Sequence, residues 1–284
     1  MDALVFIDTN ILLDFYRYPQ GSAVLSILNH IDKNHPILIT GNQVEMEFKK
    51  NRQKVILESI ASLSGPKWDT FKVPVILSDE KAATLINKSK DSIVSNTKKL
   101  KAKIDKLLRN PTRNDEVYKT LEKLFRSKGD YNLGRHNKLR FDVRELAKKR
   151  FILGYPPRKD KDTSIGDAIN WEWVIHCAKA ANKDVIIVSR DADYGHFYNK
   201  ESIINDWLAG EFKERVGKRR KVVLTKRLTW ALKEVSIDIK DADIQEEEEL
   251  IVTAESQSTK RTEKSDEKTS GSGEFDNIIK ELLS

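Results

Sequence analysis

Three short apolar runs, LVFI at 4–7, ILI at 37–39 and VIIV at 185–188, constrain the fold of this chain more than any other feature. They carry no polar alternation, which is the pattern of a strand buried on both faces. Patterns of helical period separate them, at 23–31, 43–63 and 168–181. Parallel strands need crossover connections, and a helix between each pair supplies one. The alternation predicts an α/β, three-layer fold with a central, mainly parallel sheet flanked by helices.

Residues 65–150 interrupt that rhythm. Ile86, Ile93, Leu100 and Leu107 recur every seven residues with Ile104 between them, the spacing of a long helix packed against a partner. Asn110-Pro111 ends this helix, and Val117, Tyr118, Leu121, Leu124 and Phe125 mark a second amphipathic one. The segment reads as a helical hairpin inserted at 65–150 into a domain spanning 1–240. A run of four glutamates at 246–249, followed by Ser, Thr, Lys and Glu with Gly-Ser-Gly, makes 241–284 read as an acidic, largely disordered tail. Its last stretch keeps Phe275, Ile278, Ile279, Leu282 and Leu283 at helical spacing and reads as a short helix for a protein partner, as a segment folded back over the basic face of the domain, or as a disordered end.

The formal charge of +7 conceals a polarity. Residues 241–284 hold 5 basic and 13 acidic residues, which leaves 46 basic against 31 acidic, or +15, on residues 1–240. A body this basic attracts polyanions, and nucleic acid is the expected partner because each neutralised phosphate releases counterions. The stretch 81–110 carries nine Lys and Arg against two Asp, either as a solvated face or as an arm along a phosphate backbone. A second cluster (Lys213, Arg215, Lys218, Arg219, Arg220 and Lys221) precedes the apolar run at 222–224, and so belongs at the start of a strand. The single cysteine, Cys177, makes no internal disulfide and holds no zinc alone, which points to a reducing, cytoplasmic setting. The opening MDALVFIDTN has no basic leader, and no apolar run approaches the roughly 18 to 20 residues that span a bilayer, so no membrane is expected.

Open α/β sheets bind ligands at the carboxyl ends of their strands. Asp8 follows the first run directly, and Asp191 and Asp193 follow the third. Glu47 lies about two turns into the helix after ILI, and Asp167 opens the helix before VIIV. Carboxylates gathered at one edge raise each other's pKa, and a hard divalent cation relieves the repulsion. Such a site suits phosphate-ester hydrolysis by one or two metals. Each acid also has a plain structural use: Asp8 as an N-cap, Glu47 as a solvated helix residue, Asp167 at the positive end of its helix, Asp191 and Asp193 in a turn. Glu45, two positions before Glu47, points to another side of the same helix, and periodicity leaves open which of the two faces the crevice.

FIDTNILLDFYR, QVEMEFKKNR, GYPPRKDKDTSIGDAINW and VIIVSRDADYG together resemble the bacterial PIN-like domains that carry a long helical insertion. The match covers roughly residues 3 to 200. It implies a PIN fold, similar to that of the nuclease subunits of toxin–antitoxin pairs, a Mg2+ or Mn2+ site, and usually RNA as substrate. By motif position the resemblance implies metal carboxylates at Asp8, Glu47, Asp167 and Asp191, with Asp193 as a supporting fifth, and selects Glu47 over Glu45. It makes Asn10 and Ser189 supporting polar groups, Arg52 a phosphate contact and Asp162 an auxiliary acid. Some relatives have two acids where this chain has Arg190-Asp191. PIN domains often pair, so a homodimer is also expected. The competing expectation is a catalytically degenerate module that only binds nucleic acid.

Overall fold

The computed structural model describes residues 1–18, 21–61, 72–157, 164–199 and 201–254. β1 (Ala3–Ile7), buried at every position, leads through Asp8 into α1 (Thr9–Asp14). α2 (Gly21–Lys33) buries Ala23, Val24, Ile27, Leu28 and Ile31, the face that its 3.6-residue period brings together. β2 (Leu38–Gly41) and α3 (Asn42–Ala61) follow, then α4 (Lys81–Arg109), α5 (Pro111–Asn114) and α6 (Glu116–Arg126). The chain continues through β3 (Asn132–Leu133), α7 (Leu139–Leu153), α8 (Gly166–Ala181) and β4 (Asp184–Val188). A hairpin of β5 (Gly195–Tyr198) and β6 (Glu201–Ile204) precedes α9 (Asp206–Arg215), β7 (Val222–Thr225) and α10 (Leu228–Glu234).

Among the described residues five strands form a parallel sheet in the order β3-β2-β1-β4-β7. Ile7 lies opposite Val188, and Val188 opposite Thr225, so β1, β4 and β7 end level with one another. The winding reverses between β1 and β4, and at such a switch point the connections part and leave a crevice outside the strand ends. Both sheet faces are covered. α8 is buried almost all round, and its Trp173 Nε1 donates to the carbonyls of Thr40 (2.9 Å) and Tyr131 (3.1 Å), tying the helix to β2 and the approach to β3. Gly195 lets β5 close on β6, because a Cβ there would fall within 3.0 Å of the Ile203 carbonyl oxygen.

The two basic-insertion helices are present, and they differ in how they sit. α6 buries Val117, Leu121, Leu124 and Phe125 and packs on α2 and β2, so it belongs to the core. α4 buries Ala83 and leaves Ile86, Ile93 and Leu100 exposed, so the seven-residue stripe has no covering partner along most of its length among the described residues. β3, inside 65–150, completes the sheet, and α7, which begins inside that range and ends at Leu153, packs against α8.

The first part of the stretch read as an acidic tail is helical. Residues 241–254 form a helix, α11, with Asp243, Glu247 and Leu250 buried. Glu247 accepts from the backbone N–H groups of Leu228 (2.6 Å) and Thr229 (2.9 Å), filling the N-terminal orphan donors of α10. Ser26 Oγ donates to Asp243 at 2.6 Å, fastening α11 to α2 as well. The apolar stretch from Phe275 to Leu283 lies outside the described residues. No helix among the described residues is long and apolar enough to cross a membrane.

Candidate metal centre

Asp8 stands where β1 passes into α1 and caps that helix. As N-cap its Oδ1 accepts from the Thr9 N–H at 2.6 Å, and its Oδ2 accepts from Ser189 Oγ at 2.6 Å and from Asn10 Nδ2 at 2.8 Å. Ser189, fully buried at the end of β4, also accepts from the Asp191 N–H at 3.1 Å and from Asn10 Nδ2 at 3.2 Å. Asn10 and Ser189 thus lock the ends of β1 and β4 together.

Glu47 comes from the facing side, on α3. Its Oε1 accepts from Gln43 Nε2 at 2.6 Å and its Oε2 from Thr9 Oγ1 at 2.9 Å, which fixes the carboxylate in one orientation. Glu45 turns away and pairs with Lys49 at 2.7 Å. Asp167 sits in the first turn of α8. The residue before it, Gly166, lets the two helices meet, since a Cβ there would lie within 3.0 Å of Glu47 Oε1 and of Gln43 Nε2. Asp8, Glu47, Asp167 and Asp191 line one cleft of about 330 Å³, together with Thr9, Asn10, Gln43, Lys50, Asn51 and Ser164.

The acids act on one another there. The Asp8 carboxyl is pushed up to about 7, first by burial and then by the charges of Asp191 and Asp167, against the hydrogen bond from Ser189 that favours its ionised form. Tyr194, which the sequence did not single out, lies fully buried edge-on to Phe6 and has no hydrogen-bond partner for its hydroxyl among the described residues. Burial pushes this phenol far up, and the charges of Asp167, Asp8, Glu47 and Asp193 add to the effect. Acids from four stretches of chain are felt at a single ring.

Three sequence expectations stand differently. Arg52 is no phosphate contact: it is buried, bonded to Asp115 Oδ2 through Nε (2.9 Å) and Nη2 (2.5 Å), and donates to the Leu107 carbonyl at 2.8 Å. Those partners use its fork to tie α3 to the end of α4 and the start of α6, since Asp115 also caps α6. Asp193 is not among the residues lining the cleft, and its charge reaches Tyr194 instead. Asp162 lies outside the described residues. Arg190 turns its guanidinium to Asp14 and leaves Asp191 to the cleft. Gln43 and Lys50 were missed, although they fall one turn to either side of Glu47 and so share its helix face.

The donor set is all oxygen, which suits a hard cation such as Mg2+ or Mn2+ and not a soft one. Among the described residues no group of three or more His, Cys, Asp or Glu side chains is disposed to hold an ion by itself. The carboxylates fit an ion that keeps several waters and takes further ligands from a substrate phosphate, as Mg2+ commonly does.

A parallel α/β sheet with carboxylates gathered at its carboxyl edge, in the crevice at the switch point, places this chain among the open α/β proteins that bind ligands at that edge. The family model of the PIN domain matches residues 5–194, well over half of the chain, and the chain belongs to the PIN-domain family. Members of that family are generally nucleases, typically metal-dependent, that bind nucleic acid. No curated protein and no solved structure matches the chain.

Proposed function

We propose that this protein is an endoribonuclease dependent on Mg2+ or Mn2+, with Asp8, Glu47, Asp167 and Asp191 as its metal carboxylates. One observation carries the reading: these four acids, from four remote stretches of sequence, line a single cleft at the carboxyl edge of the sheet. Membership of the PIN family supports the nuclease part coarsely. Held by Asp8, Glu47, Asp167 and Asp191, such an ion would supply a more acidic water for attack on a phosphodiester and positive charge against the leaving oxygen. The protein's own share is orientation. Ser189 and Asn10 hold Asp8, Gln43 and Thr9 hold Glu47, and carboxylates held this way lose little freedom when ion and substrate arrive. Lys50, one turn beyond Glu47, offers its ammonium to a phosphate in the same cleft. RNA is proposed from the resemblance to PIN-like domains, and the basic helix α4 as a surface that follows its backbone. A cytoplasmic setting, a homodimer and a protein partner for the C-terminal tail belong to the same proposal.

The test is cleavage of labelled RNA by purified protein with Mn2+ or Mg2+. Activity that stops with EDTA and is lost in Asp8→Asn is the expected result, and equal cleavage by Asp8→Asn overturns the assignment. A second reading is a degenerate module that binds nucleic acid without cutting it, through the +15 charge of residues 1–240 alone. It requires binding that weakens with salt, survives Asp8→Asn and Asp167→Asn, and brings no cleavage at millimolar Mn2+.

A further inference from the structure

Tyr155 and Trp207 form an exposed aromatic pair that neither the core nor the acid cleft uses. Their ring centroids lie 4.9 Å apart with the planes inclined at 36°, and the side chains keep 38% and 52% of their surface in solvent. Trp171 and Trp173, by contrast, are buried in the core. Lone exposed aromatics are common on protein surfaces, so exposure alone assigns nothing. Placement and anchoring assign more.

The pair sits at the working edge of the sheet. α8 leads into β4 and α9 leads into β7, two parallel neighbours, so both helices start at the carboxyl edge and run back to the amino edge. Asp167 is in the first turn of α8, and Trp207 is in the first turn of α9. The Asn205 N–H donates to the Tyr194 carbonyl at 2.9 Å, which ties the start of α9 to the residue whose ring packs edge-on against Phe6 of β1, two positions before Asp8.

A buried ion network holds the backbone that carries the pair. Arg150 donates to Glu172 at 2.9 Å, to Glu211 and to the carbonyl of Pro156, next to Tyr155. Glu211, one turn after Trp207, accepts from Trp171 Nε1 at 3.0 Å and from Arg215 at 2.7 Å. The Tyr155 N–H closes the ring of contacts on the Arg150 carbonyl at 3.1 Å. Rings carried on segments fixed in this way lose less entropy when a flat ligand stacks on them than rings on a free loop would.

We infer that Tyr155 and Trp207 are a stacking platform for unpaired nucleobases of a single strand whose phosphate enters the acid cleft. Aromatic side chains recognise single strands through the π-faces of unstacked bases, which a duplex keeps covered. The +15 charge of residues 1–240 complements the strand's phosphates. The inference rests on the nuclease reading for its substrate and narrows that substrate to single-stranded stretches. The nearby Ile152 and Leu153, 79% and 61% exposed, make a second copy of this chain the rival occupant.

The experiment measures binding of a short fluorescein-labelled oligouridylate to the full chain in EDTA, where no cleavage intervenes, and of the same strand annealed to oligoadenylate. Trp207→Ala and Tyr155→Ala are expected to weaken single-strand binding at least about fivefold, the low end for losing one base stack, and to leave duplex binding unchanged. Trp207→Phe keeps a ring and is expected to keep the affinity while losing the quenching of tryptophan fluorescence by unlabelled oligouridylate. Single-strand binding by both alanine variants at the wild-type level overturns the inference. A shift of Trp207→Ala from dimer to monomer with oligouridylate binding intact overturns it too and gives the patch to a second copy. Cleavage by Asp8→Asn, measured separately with Mn2+, tells the two readings apart: if it persists while the alanine variants lose binding, the platform stands and the metal assignment falls.

Discussion

At Asp8, burial and neighbouring charge both work against ionisation. Its carboxyl rises from 3.8 to about 7, through burial first and then through Asp191 and Asp167. In the metal-free protein at pH between about 4 and 7, the folded state therefore keeps a proton that the unfolded state releases. Stability is lost as pH rises through that window, by at most about 4 kcal/mol. Asp8→Asn is expected to be more stable than the wild type in EDTA at pH 7 and to flatten this slope, as read by thermal unfolding at several pH values. Mn2+ is expected to raise the melting temperature of the wild type and not of Asp8→Asn, because only a ligand that binds the native state shifts unfolding. Gly166→Ala makes a narrower test. The added Cβ meets only the far ends of Glu47 and Gln43, which can swing aside. The fold is expected to hold within about 1 kcal/mol, while Mn2+ affinity falls about tenfold or more as Glu47 leaves its place. At this scale the sequence was informative where chain position decides the outcome. A buried parallel strand reads as an unbroken apolar run, so the residues at its end, Asp8 and Ser189, are visible from the run itself. Arg52 was misread because its partner Asp115 lies 63 residues away, and no local pattern announces such a pair.

Helices were legible in proportion to how local their causes are. α2 and α6 show their buried faces in their spacing, and fully burying a residue such as Leu28 or Phe125 contributes about 1.5 to 3 kcal/mol. α11 was hidden by composition. Four consecutive glutamates look like a solvated run, yet Asp243, Glu247 and Leu250 fall four and three residues apart on one face and are buried together. Glu247→Ala would leave the N–H groups of Leu228 and Thr229 without their acceptor, at an expected cost of about 1 to 3 kcal/mol in urea unfolding. A variant as stable as the wild type would show that α11 contributes nothing to the fold. Arg52→Ala breaks a buried ion pair, and its expected cost is about 3 to 5 kcal/mol of stability. Were Arg52 instead a phosphate contact, the same variant would weaken RNA binding and spare stability.

Charge organises the whole molecule. The body carries +15 and α4 contributes nine cations from a helix exposed along most of its length, whereas much of the acidic run after Asp241 is folded back onto α2 and α10. The second basic cluster, at the start of β7, lies at the opposite edge of the sheet from the cleft. Replacing Lys98, Lys99, Lys101 and Lys103 by Gln is expected to weaken RNA binding and to reduce the slope of log K against log salt by up to about 3 for a single strand. An unchanged slope would mean that α4 is only a solvated helix. Every functional statement nevertheless returns to whether four carboxylates at one sheet edge bind a divalent ion. Titration of Mn2+ into the metal-free protein, with free Mn2+ read by electron paramagnetic resonance, asks this directly. The expected result is saturable binding by the wild type with affinity at least about tenfold weaker in both Asp8→Asn and Asp167→Asn. No binding by the wild type at millimolar Mn2+, or equal binding by all three proteins, would contradict the metal centre and leave a basic domain that holds nucleic acid without cutting it.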